Sequence, residues 1–364
     1  MEKPIYKAIY LYLTHSCNSN CSFCYRKGLF ERHKKSELSK NSSMSVEMAF
    51  KILDYVFKNV QLHDNFHIFF WGGEPFLNFK VIKAVIEKYP QFRFHTNTNG
   101  GTINKEICEF ISEHRNIGVT WSFGNCYERY AGPKDKVEHE PWALKMIQDN
   151  FQHNVNFMVT KYESLLDDFE YLVTNVTRHV SLDIATKYNH TEVDLDVFFR
   201  QYDSLLERYE NDPTLYQAIN PTLHSNLYYR EFGFKSQVQD FHFCRSGLER
   251  LFIDMDGGIW QCDNMYVCQH NKLGTIDTGL DYSKLDFMRE VDENREKYLG
   301  KYCKDCELYK QCSRNMCLGL NLEWMHDMFK PEPSFCKMCK VLYKITKKYV
   351  DIEKQHKEAV CQVL

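Results

Sequence analysis

The chain has 364 residues, 43% of them hydrophobic, and a formal net charge of −3 from 46 Lys and Arg against 49 Asp and Glu. That length exceeds one ordinary domain and supplies enough apolar residues for a sizeable core. The near-balance of charge argues against a broad nucleic-acid footprint. No apolar run reaches the ~18 residues of a membrane span.

In chain order, the first element is a strand over Ala8–Thr14, not a signal peptide: Lys7 interrupts the apolar stretch and no small-residue cleavage site follows. A cytoplasmic location is therefore expected. Residues 25–45 are polar and rich in Lys and Arg and read as a surface connection. Ser45 is the N-cap of a helix with Met48, Ile52, Tyr55 and Val56 on its apolar stripe. Further strands are expected at His67–Trp71, Arg93–Thr96, Gly118–Phe123, Asn156–Thr160 and Val180–Ile184, from β-branched and aromatic runs bounded by turn signals. Helices are expected near Asn78–Glu87, Asn104–His114, Trp142–Phe151, Leu165–Val173 and Val193–Tyr209, with a Lys-rich closing helix at 340–358. Strand–helix alternation repeated about six times implies a parallel sheet with right-handed crossovers. A full eight-fold barrel usually takes ~250 residues, so the expected fold is α/β, a partial (β/α)6 TIM barrel.

Fifteen cysteines are the informative part of the composition. A reducing cytosol disfavours structural disulfides, so clustered cysteines point to metal or redox chemistry. Cys108, on an expected helix, reads as a buried apolar thiol. The others cluster. Cys17, Cys21 and Cys24 follow the first strand with x3 and x2 spacing. Three thiolates this close suit three irons of a cubane and leave the fourth iron to a small chelating molecule. Structural zinc is the rival, but it takes four ligands. Trp71-Gly72-Gly73-Glu74-Pro75 follows the second strand. Its glycines allow close backbone approach, and Glu74 offers an anionic acceptor to an ammonium group. Asn99 ends the third strand and Ser122 the fourth, where plain turn chemistry is the alternative.

These residues resemble the signature of the radical S-adenosylmethionine superfamily, including the aromatic Phe23 before the third cysteine. The resemblance implies that Cys17, Cys21 and Cys24 hold a [4Fe-4S] cluster. It also implies that Gly72, Gly73, Glu74, Pro75, Asn99, Ser122 and Phe23 form the S-adenosylmethionine site. Ser122-Phe123-Gly124-Asn125 departs from the commoner Ser-x-Asp-Gly pattern of the family.

A second array runs Cys244, Gly257, Cys262, Cys268, Cys303, Cys306, Cys312, Cys317, Cys336, Cys339. It resembles the SPASM domain of radical enzymes that modify peptides and proteins, with four residues rather than three between Cys312 and Cys317. The resemblance implies a C-terminal cysteine-rich domain with two auxiliary iron–sulfur clusters. Cys244, Cys262, Cys268 and Cys317 would bind the first. Cys303, Cys306, Cys312 and Cys336 would bind the second, with Cys339 able to replace Cys336. Two zinc sites are the alternative, since thiolates suit either metal. Asp263, directly after Cys262, matches an aspartate that serves as the catalytic base in anaerobic sulfatase-maturating enzymes; a loop cap is the bland reading.

The expected organisation is a radical S-adenosylmethionine barrel over 1–215, a connection over 216–240, the SPASM domain over 241–340 and a helix and tail over 341–364. The expected function is that of a peptide maturase. It uses a 5′-deoxyadenosyl radical to install a crosslink, first of all a cysteine thioether, in a ribosomally made precursor peptide. Formylglycine formation in a sulfatase, peptide epimerisation and carbon–carbon crosslinking are the alternatives. The expected partners are the precursor peptide and a one-electron reductant such as flavodoxin or ferredoxin, without nucleic acid or membrane.

Overall fold

The computed structural model describes residues 3–19, 21, 24, 42–124, 154–159, 162–177, 180–184, 192–215, 245–263, 266, 271–309 and 317–363. The helix expected at Trp142–Phe151, most of the 25–45 connection, the 216–240 segment, and Phe23, Cys244, Cys268 and Cys312 lie outside the described residues. The described chain forms two compact units. One is built mainly from Met1–Ser122 and Arg245–Glu293, the other mainly from Val155–Cys244 and Asn294–Leu364.

The first unit is organised around β1 (Ile5–Thr14), which is buried along most of its length. Burial on both faces explains its near-continuous apolar run. β2 (Gln61–Gly72) pairs parallel to it, with Tyr12 opposite Trp71 and Thr14 opposite Gly72. β3 (Arg93–Thr98) pairs parallel to β2, and β4 (Ile117–Gly124) parallel to β3. Three helices make the crossovers: α1 (Val46–Asn59), α2 (Phe79–Lys88) and α3 (Lys105–Glu113). Ser45 caps α1 as expected, its Oγ accepting from the Met48 amide at 3.1 Å. Asn104 caps α3 in the same way through Ile107, at 3.0 Å. Ile52, Leu53 and Val56 of α1 and Val81, Ile82, Val85 and Ile86 of α2 are buried. Cys108 is buried on α3; burial first, and then the Glu109 charge, push its thiol up to about 12, so it stays protonated and inert.

The other edge of β1 is taken by a strand from far along the chain. β7 (Arg250–Ile253) runs parallel to β1, with Ala8 opposite Arg250 and Leu11 opposite Ile253. β8 (Gly258–Trp260), β9 (Lys272–Thr275) and β10 (Gly279–Leu280) follow as an antiparallel series. Tyr266 packs its ring against Tyr12, Phe252 and Trp260, with centroids 5.0–5.6 Å away. α6 (Tyr282–Glu293) completes the unit, with Leu285, Met288 and Val291 buried.

The second unit holds the parallel pair β5 (Asn154–Val159) and β6 (Val180–Ile184), connected by α4 (Leu165–Asn175). α5 (Glu192–Asn211) packs on the closing helix α9 (Pro333–Val363) through Tyr209 and Tyr349, whose rings stack at 5.3 Å. α9 begins at Pro333, earlier than the closing helix expected at 340–358. Between them in sequence lie α7 (Arg295–Cys303) and α8 (Leu318–Met325). The fold is mixed α/β with a parallel-sheet core. Among the described residues no helix is long and apolar enough to cross a membrane.

Candidate active site

Parallel strands present their C-terminal ends at one edge, and ligands of such sheets bind there. β1, β2 and β3 end at that edge with Thr14, Gly72 and Thr98. The loop after β1 carries Cys17, Cys21 and Cys24. Cys17 is exposed, and Cys21 and Cys24 are half-buried. The Cys24 amide donates to the Cys21 carbonyl at 3.2 Å, and the Ser19 amide donates to Cys17 Sγ at 3.4 Å.

The β1–β2 ladder runs past the strands into both loops. The Gly73 amide donates to the Thr14 carbonyl at 2.9 Å, and the Glu74 amide to the Ser16 carbonyl at 3.0 Å. This places the Gly72-Gly73-Glu74-Pro75 turn against the residue just before Cys17. Gly72 has φ near +150°, and a Cβ there would stand 2.7 Å from the Thr14 carbonyl oxygen. The position therefore requires glycine for its backbone angle and for its close approach to β1.

Glu74 is 1% exposed. Its Oε1 accepts from the Thr98 hydroxyl at 2.8 Å and the Phe76 amide at 3.2 Å, and its Oε2 accepts from the Asn99 amide at 2.8 Å. Burial pushes its carboxyl above the usual range, while the hydrogen bonds from Asn99, Thr98 and Phe76 pull it back. These bonds tie the end of β2 to the end of β3. Pro75 is buried and starts a short 3₁₀ turn, Pro75–Asn78.

Asn99 is buried beside this carboxylate. Its Nδ2 donates to Asn18 Oδ1 at 2.8 Å and Ser19 Oγ at 3.0 Å, within the cluster loop, and lies 3.8 Å from Cys17 Sγ. Trp121 on β4 donates its indole N–H to the Asn99 carbonyl at 3.2 Å. Ser122, the next residue, is half-buried near the end of β4. Asp263 is brought to the same region: Trp71 Nε1 donates to Asp263 Oδ2 at 3.1 Å. Trp71 also packs edge-on against Tyr10, at 5.6 Å between centroids. Sequence reasoning singled out Glu74, Asn99 and Asp263 but missed Asn18, Thr98 and Trp121. The signal that could have found them is adjacency, since each directly neighbours a site residue in sequence.

In the second unit, Cys303, Cys306, Cys336 and Cys339 are described. The Cys306 amide donates to the Cys303 carbonyl at 2.9 Å. Cys339 is 2% exposed and sits with Leu308 in a small apolar cluster against which Cys306, Phe335 and Tyr343 pack. Cys336, one turn earlier on α9, is half-buried. Cys262, after β8, and Cys317, before α8, are both half-buried.

Among the described residues, no three His, Cys, Asp or Glu side chains converge on a point that would hold one metal ion. A cubane asks for something else, one thiolate for each of several irons. Three cysteines on one loop, beside a glycine turn that admits close approach, fit that demand. Thiols, a glycine turn and a buried carboxylate thus stand together at the strand ends of a parallel sheet.

Residues 11–176 match the Radical SAM superfamily model, and this stretch is a radical SAM domain. Such a domain implies a [4Fe-4S] cluster and S-adenosylmethionine. Over 363 residues the chain is 23% identical to the radical SAM cyclopropyl synthase TigE of Paramaledivibacter caminithermalis, covering 92% of this chain and 73% of TigE. Its fold matches that of anSMEcpe with bound AdoMet, with a TM-score of 0.65 and 17% identity over 94% of this chain and 97% of that one. It also matches Streptococcus suis SuiB bound to S-adenosylmethionine, with a TM-score of 0.60 and 15% identity over 91% and 77% of the two chains.

Proposed function

We propose that the protein is a radical SAM peptide maturase that closes a new bond within a ribosomally made precursor peptide. The observation that carries this reading is the hydrogen bond from Trp71 to Asp263. It sets a proton acceptor from the cysteine-rich half of the sequence beside the turn that would hold S-adenosylmethionine. The likeness to TigE along most of the chain supports the reading, as do the fold matches to SuiB bound to precursor peptide SuiA and to anSMEcpe with a bound peptide.

When bound, the cluster and S-adenosylmethionine supply a hydrogen-abstracting radical. Cys17, Cys21 and Cys24 would hold the cluster. The Gly72–Glu74 backbone would face the methionyl end of S-adenosylmethionine, and Ser122 would lie towards the cofactor. Bond closure removes two hydrogens from the peptide. One leaves as an atom, and the other leaves as a proton that Asp263 would take at its carboxylate. The remaining electron needs an acceptor, which an auxiliary iron–sulfur cluster held by the C-terminal cysteines would supply. A flavodoxin or ferredoxin would supply the starting electron.

The bond we assign is a cysteine thioether. The TigE likeness favours a second reading in which two carbons are joined. Co-expression with the short peptides encoded beside the gene, followed by mass spectrometry, tests both. Loss of two hydrogens with loss of a thiol reactive to iodoacetamide supports the thioether. The same loss with every thiol retained supports carbon–carbon closure. An unmodified peptide beside a formylglycine-bearing sulfatase overturns the maturase reading. Asp263→Asn is expected to lower product formation about 10²-fold or more, the usual contribution of a general base. S-adenosylmethionine cleavage without peptide should stay near wild type, as read by 5′-deoxyadenosine release.

For the second auxiliary cluster we assign Cys303, Cys306, Cys312 and, from the pair on α9, Cys339. Its packing with Cys306 supports this choice over Cys336. Cys339→Ser is expected to lose about four irons per chain, measured after anaerobic reconstitution. Cys336→Ser should keep them. The opposite pattern would reverse the assignment.

A further inference from the structure

We propose that Asn99 is a positioning residue for the cluster at Cys17, Cys21 and Cys24, and that its amide raises that cluster's reduction potential. The family resemblance implies that Asn99 belongs to the S-adenosylmethionine site. Its hydrogen bonds point elsewhere. The two amide hydrogens are directed at Asn18 Oδ1, 2.8 Å away, and Ser19 Oγ, 3.0 Å away, the two residues that follow Cys17. The same nitrogen lies 3.8 Å from Cys17 Sγ. The side-chain oxygen accepts from the Gly101 amide at 2.8 Å.

The group cannot easily turn away from this task. Its backbone N–H is held by Glu74 Oε2 at 2.8 Å and its carbonyl by Trp121 Nε1 at 3.2 Å, and the residue is 8% exposed. The following turn is closed as well: a Cβ on Gly101 would stand 2.6 Å from Asn18 Nδ2. The Asn99 amide therefore presents the positive end of its dipole to the Cys17 sulfur, on a loop it holds by two further bonds. The Ser19 amide, itself carried on that loop, donates to the same sulfur at 3.4 Å. Reduction adds negative charge that spreads onto the ligand sulfurs, and donors beside them stabilise the reduced form.

The test needs no peptide. Wild type, Asn99→Asp and Asn99→Leu are reconstituted anaerobically and titrated potentiometrically by electron paramagnetic resonance. The signal of this cluster is identified by its response to added S-adenosylmethionine. Both variants keep the volume of the side chain and lose the donor, and Asn99→Asp keeps the acceptor for Gly101. Both are expected to titrate at lower potential. The oxidised-to-reduced ratio at the wild-type midpoint should rise about tenfold, equivalent to about 59 mV for one electron. A folded Asn99→Asp chain with wild-type circular dichroism that takes up no iron at this site also supports the clamp. A wild-type midpoint in either variant overturns the proposal, because a lowered potential in Asn99→Asp alone would be the effect of added charge. Failure of both variants to fold also overturns it, leaving Asn99 a purely structural residue.

Discussion

Replacing Cys17, Cys21 and Cys24 together by serine is expected to abolish 5′-deoxyadenosine release and to remove about four irons per chain. Serine is close in volume, and the loop they occupy is exposed or half-buried. The fold should therefore persist, since little core packing is lost. Nothing else described near the loop replaces three thiolates. Asp263 is engaged by Trp71, and Glu74 is engaged by Thr98, Phe76 and Asn99. The informative control is the iron that remains. If the C-terminal cysteines bind auxiliary clusters, the triple variant retains about eight irons and the visible absorbance that goes with them. Retained nucleoside release in the triple variant would overturn the assignment of the radical site. Zinc in place of iron throughout would overturn the redox reading of all the cysteine arrays.

The strands nearest this site were legible in the sequence because each is long enough to show its pattern. β1 is continuously apolar from Ala8 to Leu13, β3 alternates, and β6 matches its expected span residue for residue. β2 begins six residues earlier than expected, at Gln61. Its first half, with His63, Asp64 and Asn65 exposed, carries no apolar signal. The edge formed by β7 to β10 was illegible for a different reason. These strands are two to four residues long, too short for a period to show. β7 also pairs with a strand some 240 positions away, through contacts no local window contains. In the site, the cysteines and the glycine turn stood out because few other demands produce such spacing. Thr98, Asn18 and Trp121 did not, because a threonine or asparagine in a turn is ordinary turn chemistry until its partner is known. The start of α9 carries its own sequence mark. Pro333 occupies its first turn, where a missing N–H costs nothing.

The partner that gives those turn residues their meaning is Glu74, and substitutions there should have the largest effect on stability in this part of the fold. Glu74→Leu fits the same space but orphans the Thr98 hydroxyl and the amides of Phe76 and Asn99 in a buried setting. A buried unsatisfied donor costs roughly 1–3 kcal/mol. The hydroxyl can rotate towards another acceptor, while the two amides are fixed by the chain. The expected loss is therefore about 3 kcal/mol or more, a large share of the ~5–15 kcal/mol that holds a typical domain together. Glu74→Gln should be milder, about 1–2 kcal/mol. Its amide oxygen can keep the Thr98 and Phe76 donors, but its NH₂ then confronts the Asn99 N–H. Urea denaturation of the three proteins should rank them wild type, Gln, Leu in falling midpoint. The same ranking should appear in the affinity for S-adenosylmethionine, because Glu74 fixes both the turn after β2 and, through Asn99, the loop that carries Cys17. If Glu74→Leu unfolds at the wild-type midpoint yet loses S-adenosylmethionine binding, the carboxylate acts on the cofactor directly, as its motif implied, rather than through the strand ends it ties together.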